Sequence, residues 1–306
     1  MSDHTEVLAD RLSGPPAAGS VGVRQRSHGE LVLRRFLRHK AAVISLVLFL
    51  AVILLAFVGG ALWHYDYADL SSPASVPPSA AHPFGTDNLG HDTFAQVLRG
   101  TQRSIEIALL IAFLAGLVGT LWGAVAGYYR GITDSVMMRI ADLVLTLPLL
   151  AVAAVLTRAT SGSWWFVALV IAALQWAYVA RVVRAVVLSL REKEFIEASR
   201  ALGATDRWII FRHLIPNALG PIIVNVTILV AAAILVETAL SFLGLGVQPP
   251  DTSLGLLVSD ADTAVSTRPW LFYFPGAFIV VIALTINFIG DGLRDAFDPT
   301  QTKVRA

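Results

Sequence analysis

A carboxylate or guanidinium inside a long apolar run needs a partner or an aqueous cavity, so such residues are read first. Asp142 lies in the apolar stretch Ser135–Leu156, with Arg139 three residues before it on the same helix face. A centred Asp costs roughly 2.5–3.5 kcal/mol on the insertion scale. The pair is therefore expected as an ion pair near one membrane surface, where snorkelling is easy, with an inner-gate element as the alternative. Glu237 lies near the end of another apolar stretch, and Asn225, Thr227, Thr285 and Asn287 are polar positions in the last two. These residues either line a path or bond between helices. Arg139, Asp142, Asn225, Glu237 and Asn287 are thus the candidates for a gate or translocation path. His82 and His91 share one Pro- and Ser-rich segment. Two histidines without nearby cysteine make a poor metal site, so they are expected as solvated loop residues. The chain has no Gly-x-x-x-x-Gly-Lys-Ser/Thr loop, no His-Glu-x-x-His, and no Ser-His-Asp set arguable from spacing. No catalytic residue and no metal ligand is assigned.

A second set of residues is more informative. Glu194–Leu202 reads as a short helix. Phe195, Ala198, Ser199 and Leu202 fall at i, i+3, i+4 and i+7, giving one apolar face, with Glu194, Glu197 and Arg200 off it. Gly203 ends the helix as a C′ glycine. Thr205 or Asp206 caps a second short helix through Leu214, Pro216 stops it, and Asn217 caps the next apolar stretch. This helix–turn–helix is too small for an enzyme domain. It is either a solvated interfacial pair or a docking element for a partner.

The elements that position these residues are membrane spans. The chain has 306 residues, of which 56% are hydrophobic and 15% charged, and its mean hydropathy is +0.68. Soluble domains carry about 25% charge, and a single soluble core could not bury this much apolar surface. Absence of cysteine excludes a disulfide scaffold. A net charge of +1 argues against a nucleic-acid binder. Six stretches approach the ~20 residues of a bilayer span: Ala41–Leu62, Ser104–Tyr128, Ser135–Leu156 with a kink expected at Pro148, Trp164–Leu188, Pro221–Phe242 and Leu271–Gly290. With the N-terminus inside, only Arg99, Arg103, Arg158 and Arg268 of the 23 basic residues fall outside. That asymmetry puts both termini in the cytoplasm. Residues 1–27 read as a flexible tail rather than a cleaved signal peptide, because no short apolar core precedes the first span. The segments Trp63–Arg103 and Leu243–Trp270 are external. Gly116, Gly119, Gly123 and Gly127 are expected to let two helices approach closely.

Several of these segments carry a resemblance. Glu197-Ala198-Ser199-x3-Gly203, followed by His213-Leu214-Ile215-Pro216, resembles the EAA loop of ABC importer permeases, with Ser199, His213 and Ile215 as departures. His82-Pro83-Phe84-Gly85-Thr86-Asp87 with Gly90-His91-Asp92 is similar to a stretch of peptide-importer permeases of the DppC/OppC type, with His91 where Arg is usual. Asp134, Arg139, Asp142 and Pro148 match the third helix of that family, and Leu240–Pro250 and Gly290–Asp295 match its later regions. The resemblance covers roughly residues 30 to 300 and points to the peptide/nickel branch.

It implies an all-α type I permease fold with six transmembrane helices and a cytoplasmic coupling helix between the fourth and fifth. Residues 1–30 would form a tail, 31–298 the permease domain (its shared membrane domain from about 100), and 299–306 a second tail. The implied complex contains a homologous permease, two cytoplasmic ATPases and an extracytoplasmic binding protein, in the plasma membrane of a prokaryote. ATP and Mg would be used on the ATPases, and this chain would bind no cofactor. Glu194, Glu197, Ala198, Ser199, Ala201, Leu202 and Gly203 would contact an ATPase. Branch substrates are mostly di- and oligopeptides, with nickel chelates, glutathione and oligosaccharides as alternatives. A self-sufficient secondary transporter would leave the loop unexplained and predicts inverted repeats. No catalytic constellation supports a membrane enzyme.

Overall fold

The computed structural model describes residues 28–70, 73–158 and 163–298. Most of the expected N-terminal tail, and all of 299–306, lie outside these. The described residues form helices, and the one bridge between extended residues joins Thr86 to Asp92.

Helix α1 (His28–Arg38) lies before α2 (Lys40–Leu62), whose start is capped by His39 Nδ1 accepting from the Ala42 amide at 3.2 Å. Near its far end α2 widens into a π-turn at Leu55–Gly59, and Gln102 Nε2 donates to the Ala56 carbonyl at 2.7 Å. Helix α3 (Thr93–Tyr129) is longer than the expected second span, because Asp92 caps it twelve residues upstream of Ser104. Arg99 and Arg103 are therefore helical rather than loop residues.

The expected third span is two helices, α4 (Gly131–Thr146) and α5 (Leu149–Arg158), bent by 80°. The break follows from Pro148: the residue before a proline is pushed out of the helical region, and Leu147 sits at φ −70, ψ 133. Then come α6 (Trp164–Arg191), α7 (Glu194–Ala201), α8 (Asp206–Phe242), α9 (Leu254–Ala261) and α10 (Trp270–Phe297). Five of these, α2, α3, α6, α8 and α10, are long and apolar enough to cross a membrane, and the bent pair is a sixth if counted as one.

Pro216 does not stop a helix. A π-turn at Ile210–Leu214 precedes it, and α8 runs on through to Phe242. The wider turn relaxes the ladder where the proline has no N–H to give. Asn217 caps nothing: its Nδ2 donates to the His213 carbonyl at 2.7 Å within the same helix.

Close packing of α3 against α6 organises the core. A Cβ added at Gly119 would lie 2.6 Å from the Trp176 carbonyl oxygen, and at Gly123 2.3 Å from that of Ala180. The four-residue glycine spacing therefore does what it was expected to do.

The helix ends sort into two sets. At one end Phe36, Ala42 and Ala296 form a small core, Gly220 lies under Phe297, and Tyr128 Oη donates to Asp206 at 2.6 Å. Helix α7 is at this end. At the other lie Trp63, residues 73–92 and α9. The bent pair starts beside Tyr129 at the α7 end. It finishes where Thr157 Oγ1 donates to the Leu245 carbonyl at 2.7 Å, beyond the far end of α8.

Candidate functional site

Helix α4 is held to α6 by a ladder of two ion pairs. Arg184 binds Asp134 in a fork, Nε to Oδ1 at 2.5 Å and Nη2 to Oδ2 at 2.6 Å. Two turns further along α4, Arg181 Nη2 donates to Asp142 Oδ1 at 2.5 Å. Asp142 is therefore paired across helices, not with Arg139 on its own helix. Packing of α4 on α6 overrides the i, i+3 geometry, because a guanidinium from a facing helix meets the carboxylate head-on. Arg139 is exposed and makes no ion pair among the described residues. Only Asp134 and Ala141 of α4 are buried. The cue the sequence reading missed was Arg181 and Arg184, three apart on an apolar helix opposite two aspartates.

Glu237 does not face an open path in this structure. It is fully buried, with Ser241 Oγ donating to Oε1 at 2.7 Å and Ser104 Oγ to Oε2 at 3.2 Å. The Ser104 hydroxyl also accepts the Leu254 amide, and Ser253 bonds Ser241. The glutamate thus ties α3, α8 and α9 together. Asn225 and Asn287 donate to the carbonyls four residues before them, Pro221 and Ala283, each at 2.8 Å. Thr227 and Thr285 do the same. None of these bonds joins two helices.

The segment with His82 and His91 is a folded cap, not a solvated loop. Asp92 Oδ1 accepts the Ala95 amide at 2.7 Å and Trp63 Nε1 at 3.1 Å, while Oδ2 lies 2.7 Å from His82 Nδ1. His82 is 7% exposed, with Tyr65 stacked on it. Asp87 Oδ1 accepts the amides of Leu89, Gly90 and His91, and Oδ2 lies 2.6 Å from His91 Nδ1. Each histidine is thus consumed by a carboxylate, and no cluster of three potential metal ligands exists among the described residues. Arg268 binds Ser75 and Asn88, which joins this cap to the segment after α9, and Arg99 and Arg103 of α3 bind Asp251 in the segment before it. A cavity of about 430 Å³ opens between Asp87, Asn88, Leu257 and Asp260. Desolvation in this cleft, with the Asp87 charge, pushes the Asp260 carboxyl up from its ordinary range.

At the opposite end Ile196 is the one buried residue of α7, while Arg200 lies over the Tyr128 ring and Phe195 and Ser199 meet His213. Phe195 and Leu202, expected on one apolar face, are 41% and 88% exposed. Glu194, Glu197, Ala198 and Ala201 are exposed too, and Ser199 is half-buried, its hydroxyl bonded to the Phe195 carbonyl. The turn after α7 is a Schellman motif: the Gly203 amide donates to the Arg200 carbonyl at 2.9 Å and the Ala204 amide to that of Ser199 at 3.1 Å. Gly203 has φ +82. Thr205 Oγ1 accepts the Trp208 amide and starts α8. Beside α7, the Arg130 guanidinium, hydrogen-bonded to Glu192, holds that carboxyl below its ordinary range.

Comparison with known proteins agrees with this arrangement. A family model described as "Binding-protein-dependent transport system inner membrane component" matches residues 119–303, and "N-terminal TM domain of oligopeptide transport permease C" matches residues 27–80. The chain is 42% identical over 282 residues to the oligopeptide transport system permease protein OppC of Mycobacterium tuberculosis, covering 91% of this chain and 97% of the relative. It is 37% identical over 295 residues to OppC of Bacillus subtilis, covering 94% and 97%. Among solved structures, an inward-facing MetNI methionine ABC transporter aligns with a TM-score of 0.56 at 19% identity, over 66% of this chain and 97% of that one. That likeness concerns the fold. With helices long enough to cross a membrane, a matching family model over more than half its length and relatives that it matches almost end to end, the chain belongs to the family of binding-protein-dependent transport system inner-membrane components, the non-catalytic permease subunits of ABC importers.

Proposed function

We propose that this chain is one of two membrane subunits of an ATP-driven importer of di- and oligopeptides. It would form half of the path and receive the power stroke through α7. The observation that carries the coupling part is the outward apolar face of α7, with Phe195 exposed on the helix and Leu202 exposed just past its end, and one buried residue beneath. A short helix with a single inward apolar residue gains little by folding unless something covers its outward face. In this reading the α7 end is cytoplasmic, in line with the basic asymmetry, and the bent pair α4–α5 is the third of six spans. Two ATPases with their ATP and Mg, a homologous permease and an external binding protein complete the machine. Glu194, Glu197, Ala198, Ser199, Ala201 and Leu202 would meet the ATPase, with Gly203 setting the angle. The names of the relatives support peptides as the cargo over nickel or another solute.

The test is Gly203→Val. A Cβ there meets nothing within 4 Å, so the strain comes first from the positive φ, at about 1–2 kcal/mol. The expected outcome is normal insertion with weakened ATPase co-purification, or ATP hydrolysis uncoupled from peptide uptake. Normal ATPase retention with normal uptake would reduce α7 to a solvated connector.

A further inference from the structure

The ion pair Asp142–Arg181 sits where a charge has few places to face. Its side chains are 46% and 57% exposed. At 1.5 Å per residue, Asp142 lies about 16 Å from Gly131 and Arg181 about 15 Å from Arg191, the α7 ends of their helices. With those helix ends at the membrane surface, both side chains fall inside a hydrocarbon core about 30 Å thick. Charges exposed there face water or another protein surface, not lipid. The surroundings on the same face are polar. Arg139 lies one turn before Asp142, exposed and with no ion pair among the described residues. On α6, Gln175 and Tyr178 precede Arg181 at three-residue intervals, half-buried and exposed respectively. The Asp134–Arg184 fork neutralises itself, so two guanidiniums against one carboxylate leave the exposed face with an excess positive charge. Arg181 makes one hydrogen bond to Asp142, and a guanidinium has five donors.

We propose that Arg139 and Arg181 form a carboxylate-recognising station in the translocation path, which takes the C-terminal carboxylate of a passing peptide. The proposal rests on the importer reading above. Guanidinium and carboxylate pair in a planar fork, and Arg181 exchanges Asp142 for the cargo. Asp142 is a resident competitor: it keeps the guanidinium oriented between cargoes and favours release. A path site must bind well enough to admit and weakly enough to let go.

The test compares uptake of trialanine and trialanine amide by the assembled importer in proteoliposomes, each peptide supplied on saturating external binding protein. The wild type is expected to prefer the acid. Arg139→Gln breaks no ion pair among the described residues and should assemble normally. Both it and Arg181→Gln should lower acid uptake about tenfold while changing amide uptake less than twofold. Arg181→Lys should retain part of the acid preference. An unchanged acid preference in both glutamine variants overturns the proposal alone, as does an equal loss of both peptides in an assembled complex, which would place these charges in a permease–permease contact. No uptake of either peptide by the wild type would overturn the importer reading, and this station with it.

Discussion

At the scale of single residues, Asp92 is the junction of the far-end cap. It is fully buried, starts α3, and accepts from Trp63 while pairing with His82. Asp92→Ala removes the helix cap, worth about 1 kcal/mol, and takes the Asp92 contact from half-buried Trp63 Nε1 and buried His82 Nδ1, at about 1–3 kcal/mol each. The expected loss is about 3–7 kcal/mol, read as a lower melting temperature in detergent with an early change in tryptophan fluorescence. Asp92→Asn keeps an acceptor for the Ala95 amide and should be milder. Asp260 has a raised carboxyl pKa in the fold, so the folded state favours its protonated form. The stabilisation it gives is complete below its unfolded pKa and is lost as pH rises through the folded value. Asp260→Asn should therefore match the wild type near pH 4 and melt slightly higher at pH 7, a difference that a melting series across pH would detect.

Among the elements, the α3–α6 contact depends on backbone proximity. Gly123→Ala would put a methyl 2.3 Å from the Ala180 carbonyl and 2.9 Å from the Arg184 amide. Neither can swing aside, so the helices must part, at about 1–3 kcal/mol or more. At Gly116 the nearest atom is Val226 Cγ2 at 2.9 Å, a side chain that can shift, and at Gly276 nothing lies within 4 Å. The expected order of destabilisation is Gly123→Ala, then Gly116→Ala, with Gly276→Ala neutral or stabilising because a helical glycine costs about 1 kcal/mol against alanine. Thermal inactivation of the three purified variants checks the order, and Gly123→Ala behaving like Gly276→Ala would show that the two helices are not in close contact.

For the whole molecule, the orientation is the consequential statement. Nineteen of the 23 basic residues lie on the side assigned to the cytoplasm when Arg99, Arg103, Arg158 and Arg268 are external. The chain has no cysteine, so single introduced thiols report cleanly. Ala80→Cys, exposed in the cap, should react with an impermeant maleimide on intact cells, and Arg207→Cys, exposed after the α7 turn, only after permeabilisation. Labelling of Arg207→Cys from outside would invert the topology and remove α7 from reach of any cytoplasmic ATPase.

Membrane class, the apolar segments, the glycine contact and the helix–Gly–helix after α6 were legible in the sequence because each depends on local spacing or on burial in lipid. The break at Pro148 was legible for the same reason, since proline acts on its own neighbours. What sequence spacing could not decide was which charge meets which. Arg139 and Asp142 satisfy the i, i+3 rule, yet Asp142 is taken by Arg181, because the facing helix delivers a guanidinium directly. Glu237 looked like a path residue, and His82 and His91 like loop residues, until Ser104 of α3 and Ser241 of its own helix closed over the first and aspartates claimed the others. Pro216 looked like a stop until the π-turn before it absorbed the missing donor. The sequence by itself determined which residues are polar and which turns are possible. Tertiary packing decided the partners of Asp134, Asp142, Glu237 and His82, because charge pairing depends on distance in space, which a facing helix or a folded cap sets, rather than on spacing along the chain.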